Sequence, residues 1–392
     1  MGFELAPEHR QLKELVARFV REELMPLEGA VLAREAAGGG LGIPREEQSR
    51  LDALARELGL WGLDAPPEAG GSDLPVTAML GVHEELGRTI TPYRFPPDSP
   101  NLRMLLVAGS PAQRERYLGP YVRGETLSAI AISEPGAGAD PSAMKTRAER
   151  NGQDWVLNGS KIWISRADEA DWTIVMAATD RNKGARGGIS AFIIERGTPG
   201  LRIERRIPMI GGHFTFELLL EDCRVPATQM LGAEGGGFAP MQARLASRKL
   251  QMAAWSVGRT QRALDMLLEH APQRSTFGVP LAERQAIQWW ITEAATRLHA
   301  CRLMMADAAE RVDRGEQARL EIAMLKVFAT EMTWETLDHV MQAFGAMGMT
   351  KELPLQQMAS DARLARIYEG PSEVHRWVVA RDLLRGRGRG GA

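Results

Sequence analysis

Between Leu127 and Pro226 the chain breaks into short apolar runs of strand type, with turn residues rather than helical stretches between them. The runs are Leu127–Ser133, Asp154–Ile164, Thr173–Ala178, Ile189–Glu195 and Phe214–Leu220, parted by clusters such as Arg150-Asn-Gly and Arg181-Asn-Lys-Gly. Evenly spaced short strands with no helices between them predict an antiparallel barrel or sandwich rather than a parallel sheet. Any fold for this chain must place that β block between what lies on either side of it.

Both flanks have helical texture. From Glu8 to Met25, Leu12, Leu15, Val16, Phe19, Val20 and Leu24 recur at helical spacing until Pro26 ends the run. Pro44 opens a second helix with Leu51, Leu54, Leu58 and Leu60 on one face, and a third runs from Pro75 to Gly87. Shorter helices fill Asn101–Gly109 and Pro111–Leu118. After the β block, long helical segments near 238–270, 281–313, 317–345 and 371–385, joined by short loops, predict a bundle. The expected class is α+β and multidomain: an N-terminal all-helical domain (1–125), a middle antiparallel β-barrel or sandwich (126–235) and a C-terminal four-helix bundle (236–385). A flexible tail is expected over 386–392. A length of 392 residues suits two or three domains.

Charge and cysteine usage exclude several function classes. A formal net charge of −2 gives no general attraction to nucleic acid or an anionic membrane. The tail Arg385-Gly-Arg-Gly-Arg-Gly-Gly391 matches a dinucleotide pattern at Gly386, Gly388 and Gly391, but such a fingerprint must follow a strand and open a helix. Its likeness to an RGG nucleic-acid tail rests on seven residues, so a disordered tail is expected. Cys223 and Cys301 are too few and too far apart for a zinc cluster or a disulfide framework, and read as reduced, partly buried thiols; no metal is expected. The N-terminus lacks the apolar core of a signal peptide, and no run approaches the roughly 18 apolar residues of a membrane span. A cytoplasmic protein is the expectation.

The chemistry concentrates near the end of the chain. In Asp361–Arg376 an apolar run meets Gly370-Pro371, and proline suits the first turn of a helix that starts there. Glu373 follows within that first turn, where the helix dipole favours negative charge. Glu369 is thereby left on the turn just before the helix, between Tyr368 and a flexible glycine. By itself such a glutamate is usually a solvated or capping carboxylate.

The phrase IYEGPSEVHRWVVARDLL resembles the C-terminal signature of the acyl-CoA dehydrogenase family, and ISEPGAGAD (Ile132–Asp140) resembles that family's flavin-contacting strand and loop. LNGSKIWIS (Leu157–Ser165), TFELLLEDCRVP (Thr215–Pro226), RSTFG (Arg274–Gly278) and QAFGAMG (Gln342–Gly348) follow in the family's order, so the resemblance covers nearly the whole chain. It implies FAD as cofactor and Cα–Cβ dehydrogenation of an acyl-CoA thioester, with Glu369 as the base for the α-proton and hydride passing to flavin N5. A carboxylate is a weak base, so substrate must expel water from around it; desolvation makes a carboxylate more basic. The resemblance assigns FAD contacts to Ile132, Ser133, Gly138, Trp163 and Ser165. It assigns Arg274, Phe277, Gln285, Gln342 and Gly345 to FAD of the neighbouring subunit, and Glu373 to the cofactor set. Substrate contacts fall on Ala139, Arg248, Lys249, Tyr368 and Gly370.

Some members place the base on the bundle's first helix, at about Arg248 here, and neither Ser247 nor Lys249 can substitute for a carboxylate. Further departures are Ala139 for a common Ser, Lys249 for Arg, Arg284 for His, Ala346 for Gly and Pro371 for Thr. A cofactor shared between chains implies a homo-oligomer, a tetramer built as a dimer of dimers, with an electron-transfer flavoprotein as redox partner. Two alternatives stay open: an oxygen-using flavoprotein on the same fold (an acyl-CoA oxidase or monooxygenase), and a catalytically silent acyl-CoA-binding relative. Tyr93-Arg-Phe-Pro-Pro97 and Trp255 are candidates for narrowing the acyl pocket toward short or branched chains, with bundle core the competing role for Trp255; His213, where the family's barrel loop often has Ser, is a candidate ligand contact, with a satisfied structural histidine the competing role.

Overall fold

The computed structural model describes residues 5–97 and 99–387, so positions 388–392 of the Arg/Gly tail lie outside the described residues. The chain divides into two compact units, one of residues 55–73 and 94–247 and the other of residues 1–54, 74–93 and 248–392. In chain order the longer helices before the sheet are α1 (Pro7–Phe19), α2 (Glu28–Ala36), α3 (Arg45–Glu57), α4 (Val76–Leu86) and α5 (Leu102–Ala108), followed by short helical turns at Pro111–Gln113 and Gly119–Val122. The strands are β1 (Ser128–Ala131), β2 (Arg147–Asn151), β3 (Asp154–Ile164), β4 (Trp172–Ala178), β5 (Ile189–Glu195), β6 (Leu201–Pro208), β7 (Phe214–Pro226) and β8 (Met230–Leu231). Then come α6 (Phe238–Gln273), a small hairpin of β9 (Ser275–Thr276) and β10 (Val279–Pro280), α7 (Gln285–Asp313), α8 (Arg319–Phe344), α9 (Leu355–Ala365) and α10 (Ser372–Arg387).

In the sheet unit the strand order is β6-β7-β3-β2-β4-β5-β8, with β1 beside β4. Most neighbours are antiparallel, while β1 and β2 both run parallel to β4. The residues of β4 are all buried, so both of its faces are covered. On one side Trp172, Ile174 and Ile193 pack with Leu102 and Leu105 of α5 and with Tyr117 and Tyr121. On the other, Val175, Phe192 and Ile194 pack with Trp155, Leu157, Leu218 and Val225. Three strands of the sheet, β2, β6 and the two-residue β8, have no counterpart in the expected set. β6 reads Leu-Arg-Ile-Glu-Arg-Arg-Ile-Pro and stays mostly exposed on the sheet's edge, where charge is tolerated and guards against edge pairing. β2 is likewise mostly exposed, with only Ala148 buried. Neither shows the apolar pattern by which a strand is recognised.

In the helical unit Pro26 does not end the first run. The chain passes from α1 through a π turn (Val20–Leu24) and a 3-10 turn (Met25–Leu27) into α2. Pro26 lies in the first turn of its segment, where its missing N–H is not needed. Helices α6, α7 and α8 are 36, 29 and 26 residues long and supply most of the unit's core, with α9 a further helix over residues expected only as an apolar run. Close approach of α4 and α6 depends on two glycines. A Cβ on Gly258 would lie 1.8 Å from the carbonyl oxygen of Glu84, and one on Gly87 would lie 2.4 Å from that of Trp255. Arg262 grips the buried Glu28 carboxylate through two bonds of 2.5 and 2.6 Å. α10 continues through Gly386 and Arg387, beyond the expected end of the bundle at 385.

Candidate active site

Glu369 occupies the turn between α9 and α10 with φ +57°, and Gly370 follows at +93°. A glutamate in the left-handed region is disfavoured, because its Cβ crowds the following carbonyl oxygen. The turn is therefore held by its surroundings. Ser372 N–H donates to the Arg366 carbonyl at 3.0 Å, and the Arg366 guanidinium pairs with Glu331 at 2.8 Å. His375 Nε2 is 3.1 Å from the Glu369 carbonyl oxygen; a carbonyl only accepts, so Nε2 carries the proton. A Cβ on Gly370 would come within 2.9 Å of that same Nε2, so this position combines a positive φ with a close approach.

Beneath the turn lies Lys326 of α8, fully buried, donating to the carbonyls of Gly370 at 2.8 Å and Arg366 at 3.3 Å. Burial and then the charge of Lys249 push its ammonium down to about 8, against the pull of Glu331, Glu373 and Glu369. Burial and Lys249 likewise push His375 down to about 4, so its imidazole is neutral at pH 7. Lys249, Glu369, Gly370 and Glu373 are thus brought into one neighbourhood, with Tyr368 adjoining and 41% exposed. Arg248, next to Lys249 on α6, donates to Gln251 at 3.1 Å, and its guanidinium lies 5.3 Å from the Trp255 ring centre.

In the sheet unit, Ile132 and Ser133 follow directly on β1 and are tied to β3. Ile162 N–H donates to the Ser133 carbonyl at 2.9 Å, and the buried Lys161 ammonium donates to the Ile132 carbonyl at 3.1 Å and to Glu134 at 2.8 Å. Glu134 in turn accepts from the backbone N–H groups of Lys145 and Thr146. A tight turn pairs Glu134 with Ala137, leaving Gly138 and Ala139 exposed just beyond it. Next to Ser133, the β3–β7 register slips between Lys161 and Ile164, and Trp163 stands there with φ +63° and half its surface exposed. Ser165 is exposed beside it. A bulge of this kind re-aims a side chain that a regular strand would tuck away.

The remaining residues gather at one end of the helical unit. Arg274 and Phe277 lie on the β9–β10 hairpin, and Phe277, at φ +52°, is 99% exposed. Arg284 donates to the Thr276 carbonyl at 2.5 Å, fastening the hairpin to the start of α7, where Gln285 is exposed. His270 stacks on Phe344 at 4.0 Å and bonds the Ala343 backbone, which brings the Arg274 end of α6 to the Gln342–Gly345 end of α8.

Three matches span this architecture. The acyl-CoA dehydrogenase N-terminal domain matches residues 6–125, the middle domain 129–223 and the C-terminal domain 235–384. The chain belongs to the acyl-CoA dehydrogenase family. Among relatives, it is 39% identical to (R)-benzylsuccinyl-CoA dehydrogenase of Thauera aromatica over 98% of this chain and 97% of that one. Among solved structures, butyryl-CoA dehydrogenase from Megasphaera elsdenii is 31% identical with a TM-score of 0.85, covering 98% of this chain and 100% of that one. PigA, solved with FAD and proline, is 28% identical with a TM-score of 0.86 over 98% and 99%.

Within this acyl-CoA dehydrogenase, two candidates for the acyl pocket are core residues. Tyr93 is buried and bonds Asp52 at 3.0 Å, and Trp255 is buried edge-on to His83. His213 is half-buried in the loop before β7. Both thiols are fully buried rather than partly so, which pushes Cys223 up to about 11 and Cys301 up to about 12. Among the described residues no cluster of His, Cys, Asp or Glu could hold a metal, and no helix is long and apolar enough to cross a membrane. Lys326, His375, Lys161, Glu134 and His270 shape the candidate site and are not among its sequence-predicted residues.

Proposed function

We propose that this chain carries out FAD-dependent α,β-dehydrogenation of an acyl-CoA thioester, with Glu369 taking the α-proton. The observation that carries the reading is the Glu369 turn: a carboxylate held at positive φ, anchored through Arg366, Gly370 and its own carbonyl. Backbone strain of that kind persists only where the surroundings over-determine it. The donor set fits a flavin dinucleotide. Trp163 offers an exposed indole face for a flat ring, with Ser133, Gly138 and Ser165 as nearby polar or open positions and Ile132 at the adjoining strand end. Arg274 supplies a planar fork for a pyrophosphate, with Phe277, Gln285, Gln342 and Gly345 exposed around it and Glu373 in the cofactor set.

When bound, FAD supplies a hydride acceptor for the β-carbon. The chain's own part is to exclude water, hold the thioester and move one proton. Glu369 receives the α-proton, and its backbone N–H is the donor to the thioester oxygen where enolate charge develops. On the helical unit Arg248, Lys249, Tyr368 and Gly370 are the proposed substrate contacts, and Ala139 is the one on the sheet unit; Arg248 stays protonated and cannot act as a base. Because the Arg274–Gln342 surface serves FAD of a neighbouring subunit, the working form is a homo-oligomer, a dimer of dimers, and reoxidation is by an electron-transfer flavoprotein.

The test is anaerobic flavin bleaching with a panel including butyryl-CoA, benzylsuccinyl-CoA and proline, followed by an oxygen pulse. Bleaching by a thioester with slow reoxidation in air is expected, and Glu369→Gln should retain FAD while bleaching slows by about 10²–10⁴-fold. Rapid peroxide formation would make the enzyme an oxidase. Bleaching by proline alone would move it off CoA chemistry.

A further inference from the structure

Lys326 is a buried titratable group to which the proposed chemistry gives no part. Its ammonium reaches the carbonyls of Arg366 and Gly370, at the two ends of the short segment that carries Glu369. The same segment is closed by Ser372 N–H on the Arg366 carbonyl and by His375 on the Glu369 carbonyl. We propose that Lys326 is a positioning residue for the dehydrogenation, holding both ends of the turn so that the Glu369 carboxylate stays where it can take the proton. The proposal rests on the reading of Glu369 as base.

An ammonium is expensive to bury, and a helix that needed only an apolar or neutral side chain at this depth would carry one. A left-handed glutamate relaxes toward ordinary backbone angles unless something opposes it. Charge-assisted bonds to the carbonyls on either side oppose it directly, because relaxation would move one carbonyl away from the ammonium. Lys326 stays charged at neutral pH despite burial and Lys249, with Glu331, Glu373 and Glu369 opposing both. Misplacing a catalytic group by about 1 Å can cost roughly 10²-fold in rate.

The experiment uses the full-length, FAD-loaded enzyme and three variants: Lys326→Met, Lys326→Arg and Glu369→Gln. With the thioester that best bleaches the parent, Lys326→Met should lower kcat by about 30–100-fold with KM within about threefold. FAD content should be unchanged, and amide exchange over residues 366–372 should quicken by about tenfold or more. Lys326→Arg, which keeps a cation with donors, should recover most of the rate and the protection. Parent kcat and parent exchange in Lys326→Met, alongside an inactive Glu369→Gln, would sink this inference and leave the base in place. Equal losses in the Met and Arg variants would also overturn it, since volume rather than donation would then be at work. Normal bleaching by Glu369→Gln would remove the base reading, and this inference with it. Should Lys326→Met not fold, Lys326→Gln is read the same way: partial loss supports the proposal and parent behaviour overturns it.

Discussion

The turn after α9 compresses the candidate chemistry into a few residues whose conformations depend on one another. Gly370 is the least replaceable. Alanine there must adopt a φ near +93° and must push aside the His375 nitrogen that bonds the Glu369 carbonyl. Gly370→Ala is expected to cost about 1–3 kcal/mol and to lower turnover with it, read from thermal unfolding and from flavin bleaching. His375 itself predicts a pH effect. Its folded pKa of about 4 lies below its ordinary 6.5, so between those values the unfolded chain binds more protons than the folded one. Its neutral form therefore adds stability in full above pH 6.5, and that contribution is lost as pH falls toward 4, amounting to about 3 kcal/mol. His375→Gln should flatten the fall of melting temperature between pH 6.5 and 4; an unchanged slope would show that other groups set it. The turn that carries Glu369 was legible because an apolar run ending in Gly-Pro marks a turn before a helix, whereas the role given to Glu369 comes from the family resemblance. Lys326 was not legible, because a lysine within a helical pattern reads as a solvated charge until the fold shows which side of the helix is covered.

At the scale of elements, legibility followed burial. β4 and β5 are covered on both faces and announce themselves as continuous apolar runs. β6 and β2 are mostly exposed and charged, and carry no such signal. The pairing of β1 with β4 in parallel was hidden for a different reason: register and direction depend on partners distant in sequence. What ties the end of β1 to β3 is the buried Lys161–Glu134 pair, whose members are 0% and 5% exposed. Burial pushes the Lys161 ammonium down to about 8 against the attraction of Glu134, so the pair contributes less through its net attraction than through the loss incurred when one member is left alone. Lys161→Met should destabilise the enzyme by about 3–5 kcal/mol, because it strands the Glu134 carboxylate in the interior. Lys161→Met with Glu134→Gln should recover part of that loss, since the charge is gone and the amide oxygen can still accept from one of the two N–H groups, of Lys145 or Thr146. Denaturant melts of the single and double variants measure the difference, and equal losses would mean that the charge is not the issue.

For the whole molecule the telling feature is an aromatic ring that none of the described residues covers. Phe277 is 99% exposed at the tip of the β9–β10 hairpin, held there at positive φ, with Arg274 at the hairpin's base and Gln285 just beyond. A single exposed apolar residue is ordinary, but a turn fastened by Arg284 to the start of α7 gives this one a fixed direction. The family motif to which it belongs implies that the ring meets FAD of a second copy, so cofactor retention and assembly should fail together. Phe277→Asp puts a charge where the proposed contact would exclude water, and should release FAD and lower the mass seen by light scattering at the same protein concentration. The hairpin is small and exposed, so the variant's chain should fold with the parent's helical content. Added FAD should then restore assembly only at concentrations well above those that saturate the parent, because a ligand that binds the assembled state alone shifts assembly by mass action. If Phe277→Asp keeps both FAD and the parent mass, the hairpin tip faces solvent in the working enzyme, and the shared cofactor site must be sought elsewhere on the helical unit.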